Sequence, residues 1–220
     1  MENLNVIIKK RIMSFYRNSS LLTKLHILGR LNTCPFGKIE KFVPRNGLIV
    51  DYGCGFGIFS HILTSLSSLR NVYGFDVSTV KIKEAKNSLA ALGDNIIFSN
   101  DHQQAQGMLS QAECIVMLDV LSYFSDRERE NILLCFYDNL KKGAILIIKD
   151  IDRNRSLKYA WLYFQELVIV KLLRITKGDF LNFFNSEYLS CLLERIGFKV
   201  SLIDISRNYL YPHVLFICEK

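Results

Sequence analysis

Gly53, Gly55 and Gly57 stand at alternate positions directly after the apolar run Leu48-Ile49-Val50 and the carboxylate Asp51, with Cys54 between the first two. An apolar run of this kind suits a buried parallel strand. Glycines at its end suit a turn where backbone must come close to a ligand. After Gly57 the apolar residues Ile58, Phe59, Ile62, Leu63 and Leu66 recur at helical spacing, so the unit reads as strand, glycine turn, helix. A dinucleotide fingerprint would need its third glycine at position 58, and that position is Ile58. Asp76, followed by Val77, closes a second apolar run 19 residues after Gly57. In a strand–helix–strand unit a carboxylate about 20 residues on is placed to accept hydrogen bonds from two ribose hydroxyls of an adenosine ligand.

The same pattern repeats along the chain. Ile96-Ile97-Phe98-Ser99 leads to Asp101 and His102, and Cys114 to Leu118 leads to Asp119. A fifth apolar run ends at Lys149 and Asp150. Five strands thus end in or near a carboxylate on what is expected to be one sheet edge, the edge where open α/β sheets bind ligands. The ordered set Asp51, Gly53, Gly55, Gly57, Asp76, Asp101 and Asp119 resembles class I S-adenosylmethionine-dependent methyltransferases, of small bacterial type, over roughly residues 40 to 150. The resemblance implies S-adenosylmethionine as cofactor. Gly53, Cys54, Gly55 and Gly57 would pass under its methionine part, Asp51 would help hold the amino group, and Asp76 with Val77 would take the ribose side. Asp101 with His102 would lie by the adenine, and Leu118 with Asp119 would line the mouth.

The implied fold is a Rossmann-like, seven-stranded, mostly parallel sheet with an antiparallel last strand and helices on both faces. The expected organisation is one methyltransferase domain over residues 1–220. It divides into basic N-terminal helices (1–46), a cofactor-binding core (47–150), a helical lid or substrate insertion after strand five (151–184), and a C-terminal helix with a strand hairpin (185–220). Asn185 or Ser186 is expected to cap that helix and Gly197 to stop it, with strands over residues 199–205 and 213–218. Within the insertion, residues 157–173 gather Tyr159, Trp161, Tyr163 and Phe164. Charged residues interrupt them, so the run is short of a membrane span and reads as a lid helix.

Methyl transfer from a sulfonium is an in-line displacement that depends chiefly on alignment and exclusion of water. A hydroxyl or carbon acid also benefits from a general base. The candidates are Asp119, Tyr123 and His213, with His102, Asp150 and Asp152 behind them; where many relatives carry His, position 122 is Ser. With no Asn-Pro-Pro-Tyr, Asp-Pro-Pro-Tyr or Pro-Cys sequence, the adenine-amine and cytosine-carbon chemistries that use those motifs are set aside. A small-molecule or lipid-like acceptor fits best. An RNA or other nucleic-acid methyltransferase, and a catalytically silent cofactor-binding partner subunit, are the alternatives.

Composition and charge complete the reading. A chain of 220 residues, 50% hydrophobic, can bury one full core. The six cysteines are scattered, without C-x-x-C or a His cluster, so no metal is expected. Reduced thiols and the lack of an apolar leader after the basic N-terminus suggest a cytoplasmic protein. Residues 1–46 hold nine Lys and Arg against Glu2 and Glu40, so the whole net charge of +7 lies ahead of the glycine turn. Leu4, Ile7, Ile8, Ile12 and Phe15 form one apolar stripe, and Leu21, Leu22, Leu25, Leu28 and Leu31 another. The expectation is two amphipathic helices packed on the sheet through those stripes. Their basic outer faces would suit solvent, a membrane surface or an acidic partner.

Overall fold

The computed structural model describes residues 6–91, 95–152, 182 and 184–220. Helices α1 (Val6–Phe15), α2 (Leu21–Thr33) and α3 (Phe36–Ile39) precede β1 (Gly47–Tyr52). Then follow α4 (Ile58–Leu66), β2 (Arg70–Phe75), α5 (Thr79–Asn87), β3 (Ile96–Ser99), α6 (His102–Leu109) and β4 (Cys114–Leu118). The series ends with α7 (Asp126–Asn139), β5 (Ile145–Ile151), α8 (Ser186–Ile196), β6 (Lys199–Asp204) and β7 (His213–Glu219).

The seven strands lie in the order β3-β2-β1-β4-β5-β7-β6. The first five pair in parallel, and β7 runs antiparallel to both β5 and β6. Every residue of β4 is buried, as a strand covered on both faces requires. One face of the sheet packs Ile49, Val116 and Ile147 against Ile12, Ile27, Leu31 and Ile62 of the N-terminal helices and α4. The other packs Val50, Ile115 and Ile148 against Leu133 and Phe136 of α7 and Leu189 and Leu193 of α8. The chain leaves β1 toward β2 and β3 on one side, and β4 and β5 lie on the other. That reversal opens a crevice at the carboxyl ends of β1 and β4.

The C-terminal signals act as read. Asn185 caps α8 by accepting from Glu187 N at 2.8 Å, and Gly197 ends it at φ 122°. Strand β2 starts earlier than its apolar run because Arg70 is fully buried, donating to Glu40 Oε1 at 2.8 Å and to the Pro44 and Val43 carbonyls. Most of the expected lid, including residues 157–173 with Tyr159, Trp161, Tyr163 and Phe164, lies outside the described residues.

The expected packing of the N-terminal helices is overturned, at Ile7 of α1, which is exposed, and along most of the α2 stripe. Helix α2 does not pack through its leucine stripe: Leu21, Leu22, Leu25 and Leu28 are exposed, while Ile27 and Leu31 are buried. The rotation of the helix follows from its polar contacts. Arg30 shares the inward side with Ile27 and Leu31 and reaches Asp119 at 2.6 Å, so the leucines are turned outward.

Candidate functional site

The glycine turn is docked onto the end of β2, with Gly53 N and Cys54 N both donating to the Phe75 carbonyl at 2.7 and 2.9 Å. Gly57 opens α4 at φ 81°. A β-carbon there would sit 2.7 Å from Phe98 Cε1, so only glycine fits. Gly55, at φ 58°, differs: a β-carbon would meet only Asp76 Oδ2 and Lys81 Cδ, each at 4.0 Å. Its open side is the side a ligand would fill. Asp76 stands beside it at the β2 end, with Oδ2 accepting from Gly55 N at 2.9 Å and Oδ1 from Ser78 N at 2.8 Å. The carboxylate is thereby held rigid, and each oxygen keeps a lone pair for a hydroxyl. Val77, next in the chain, is exposed.

Asp51 is buried and accepts from Ser60 Oγ at 2.6 Å, which ties β1 to α4. Burial pushes its carboxyl up to about 6, against the lowering effect of Ser60. Asp101 caps α6, accepting from Gln103 N at 2.9 Å and Gln104 N at 3.2 Å. The His102 ring packs edge-on to Phe75 at 4.7 Å. Asp51, Asp76, Asp101 and His102 thus gather around the β1–β3 edge in the order the sequence suggested.

The N-terminal helices build one wall of this site. Tyr16 donates to the Phe56 carbonyl at 2.7 Å, and the His26 ring lies 5.2 Å from that of Phe56. Partial burial, with Arg30 and Lys81 nearby, brings the imidazole of His26 down to about 4, so it is neutral at pH 7.

Leu118 ends β4, and Asp119 follows with φ 57°, an uncommon left-handed conformation for a residue with a side chain. Its N–H donates to the Lys149 carbonyl at 2.8 Å. Its carboxylate is ion-paired to Arg30 on one oxygen and to Lys149 on the other. Lys149 is fully buried on β5. Burial alone would raise the Asp119 carboxyl, but Lys149 and Arg30 outweigh it and hold it well below the carboxylate range. A carboxylate stabilised this strongly as an anion is a poor proton acceptor, and Asp119 stands here as the shared counter-ion of Arg30 and Lys149. Arg30 and Lys149 were not singled out in the sequence. Lys149 carried a signal nonetheless, because a lysine inside an apolar central strand must be paired.

Two unpartnered acceptors remain near Asp119. His213, at the start of β7, donates from Nε2 to the Thr33 carbonyl at 2.9 Å, which leaves Nδ1 as a buried acceptor with no partner. Burial and the Lys149 charge lower its imidazole to about 3. Asp150 accepts from Ile151 N through Oδ1 while its buried Oδ2 has no partner. Burial, then the Asp119 charge, push it up to about 7. Of the other candidates, Tyr123 is exposed in a short turn after β4, and Asp152 accepts from Ser186 N at 3.0 Å. A cavity of about 280 Å³ lies at the β5–β7 end, lined by Asp152, Ser186, Asp204, Pro212 and His213 among others. Among the described residues no group of His, Cys, Asp and Glu could hold a metal ion, and no helix is long and apolar enough to cross a membrane.

Comparison with known proteins agrees with this geometry. Residues 32–202 match the model of a methyltransferase domain family. The carboxy-S-adenosyl-L-methionine synthase of Nautilia profundicola is 27% identical over 121 residues, which is 54% of this chain and 51% of that protein, so the matched stretch spans about half the length of that relative. An O-methyltransferase family protein from Burkholderia thailandensis superposes with TM-score 0.70 at 16% identity, covering 94% of this chain and 61% of that one. An O-methyltransferase family 2 protein from Planctomyces limnophilus, in complex with apigenin, superposes with TM-score 0.65 at 17% identity, covering 93% and 62%. At those identities the two structures speak for the fold, while the family match extends over most of the chain. The open cradle at Gly55 and the anchored Asp76 fit the cofactor of that family, S-adenosylmethionine, and the chain belongs to the methyltransferase domain family.

Proposed function

We propose that this protein transfers the methyl group of S-adenosylmethionine to a small-molecule or lipid-like acceptor. The observation that carries this reading is α2 seated across the mouth of the site, with His26 on Phe56 and Arg30 on Asp119. A mouth narrowed by a helix suits a small or chain-like acceptor better than a duplex or a folded protein surface. The O-methyltransferase family proteins of similar fold, one of them holding apigenin, agree with an acceptor of that size.

The cofactor supplies an activated methyl group when bound. Gly53 to Gly57 would cradle it from below and Asp76 would hold its ribose hydroxyls. Asp119, locked by Arg30 and Lys149, keeps the β4 end rigid beside the transfer position, and the apolar residues Leu118, Val120 and Leu121 help keep water out. Positioning of this kind can supply much of the acceleration.

Incubating the full chain with cell extract and methyl-labelled cofactor tests the reading. Label should enter the small-molecule or organic-solvent fraction. Label found only in RNA or protein, or no turnover of the cofactor, would overturn it.

A further inference from the structure

The outward face of α2 is unusual for a surface helix. Leu21, Leu22, Leu25 and Leu28 are 71%, 80%, 55% and 45% exposed. At 3.6 residues per turn these four fall within an arc of roughly 120°. Lys24 borders the arc on one side and His26, against the Phe56 ring, on the other. A contiguous leucine face of this kind marks an interaction surface.

The charge carried by the same N-terminal segment says what covers it. Lys10, Arg11, Arg17, Lys24 and Lys41 make no ion pair with an acidic side chain among the described residues. All of the chain's net charge lies in this same N-terminal segment. The helices are held firmly enough to present the face. Lys9 donates to Asn32 at 3.0 Å between α1 and α2, Ser19 to Glu84 on α5 at 2.7 Å, and Tyr16 to the glycine turn. Leucines ask for an apolar phase and unpaired cations ask for an anionic one. A nucleic acid offers the second without the first.

We propose that the α2 face docks the protein on an anionic lipid surface, with the four leucines in the acyl boundary and the cations at the headgroups. The site's mouth, which α2 borders through His26 and Arg30, then opens at the membrane. This extends the reading of a lipid-like acceptor, and its test needs no turnover, so the two can fail separately.

The test is co-sedimentation of the full chain with phosphatidylglycerol-containing vesicles, against pure phosphatidylcholine and across salt. Partition should favour the anionic vesicles and weaken as salt rises from about 0.05 to 0.5 M. The double variant Leu22→Ser, Leu25→Ser should partition about tenfold more weakly than the parent, with cofactor affinity unchanged. Leu22 and Leu25 are exposed, so this variant folds as the parent does, and circular dichroism checks that. No partition of the parent at low salt overturns the proposal. So does equal partition of the double variant. A parent that is a dimer which the leucine changes dissociate, without vesicle binding, assigns the face to a second copy and also overturns it.

Discussion

Two carboxyl groups show how differently this sheet edge treats one residue type. Asp76 is anchored by two backbone N–H groups and faces the open side of Gly55. Replacing it with Ala should weaken S-adenosylmethionine binding by about 1.5–3 kcal/mol, the scale of hydrogen bonds to a charged group; isothermal calorimetry reads the change, and unchanged affinity would place the ligand elsewhere. Asp150 is instead buried with one oxygen unpartnered, and its carboxyl is pushed up to about 7. The unfolded chain ionises that carboxyl near ~3.9. Between those values the folded protein keeps a proton that the unfolded chain has released. Asp150 therefore supports stability fully at low pH, and that support is lost as pH rises through the folded value. Asp150→Asn removes this slope. Between about pH 5 and 8 the variant should gain on the parent by on the order of 2–3 kcal/mol, measured by denaturant unfolding at each pH. The lowered histidines are common to both proteins and cancel in the difference.

At the scale of elements, α2 joins the N-terminal segment to the site. The Arg30 to Asp119 ion pair, with Ile27 and Leu31 in the core, holds one side of the helix inward. Arg30→Ala should cost about 1–3 kcal/mol, because Asp119 keeps only Lys149 as a counter-charge in a mostly buried position. Hydrogen exchange over residues 21–33 should speed up, while cofactor affinity changes little, since Arg30 is not part of the glycine cradle. Unaltered exchange would show that apolar packing through Ile27 and Leu31 is enough to hold the helix. Tyr16→Phe probes the other anchor: loss of its bond to the Phe56 carbonyl should cost about 0.5–1.5 kcal/mol and loosen the turn that holds the cofactor, so here affinity should fall along with stability. Titration of the variant with cofactor, beside its thermal melt, separates the two effects.

For the whole molecule, the reversal of strand order between β1 and β4 sets one crevice at one edge, and ligand binding there couples to global stability. At a cofactor concentration about 100 times its Kd, S-adenosylmethionine should stabilise the folded chain by about 2.7 kcal/mol, seen as a rise in thermal midpoint. NAD should give no rise, because Ile58 occupies the place of the third glycine that a dinucleotide turn requires. A midpoint raised by NAD and unmoved by S-adenosylmethionine would contradict the reading of the glycine turn.

The sequence by itself determined the parts whose signals are local. Alternate glycines after an apolar run, a carboxylate at each strand end, and the Asn185 cap with its Gly197 stop are written within a few residues of where they act. The glycine turn and the strand-end carboxylates of the candidate site were legible for that reason. Tertiary structure alone decided what depends on contacts between distant segments. Leucine spacing on α2 was correctly read as helical, but spacing cannot say which side faces inward; Arg30, Ile27 and Leu31 settle that through partners on other elements. Asp119 looked like a base among several until folding brought Lys149 and Arg30 to either side of it. His213 became an acceptor of defined tautomer only because the Thr33 carbonyl, 180 residues earlier in the chain, lies 2.9 Å from its Nε2. Charge and proton affinity are set by neighbours in space, and a neighbour contributed by another strand or helix leaves no mark in the local sequence.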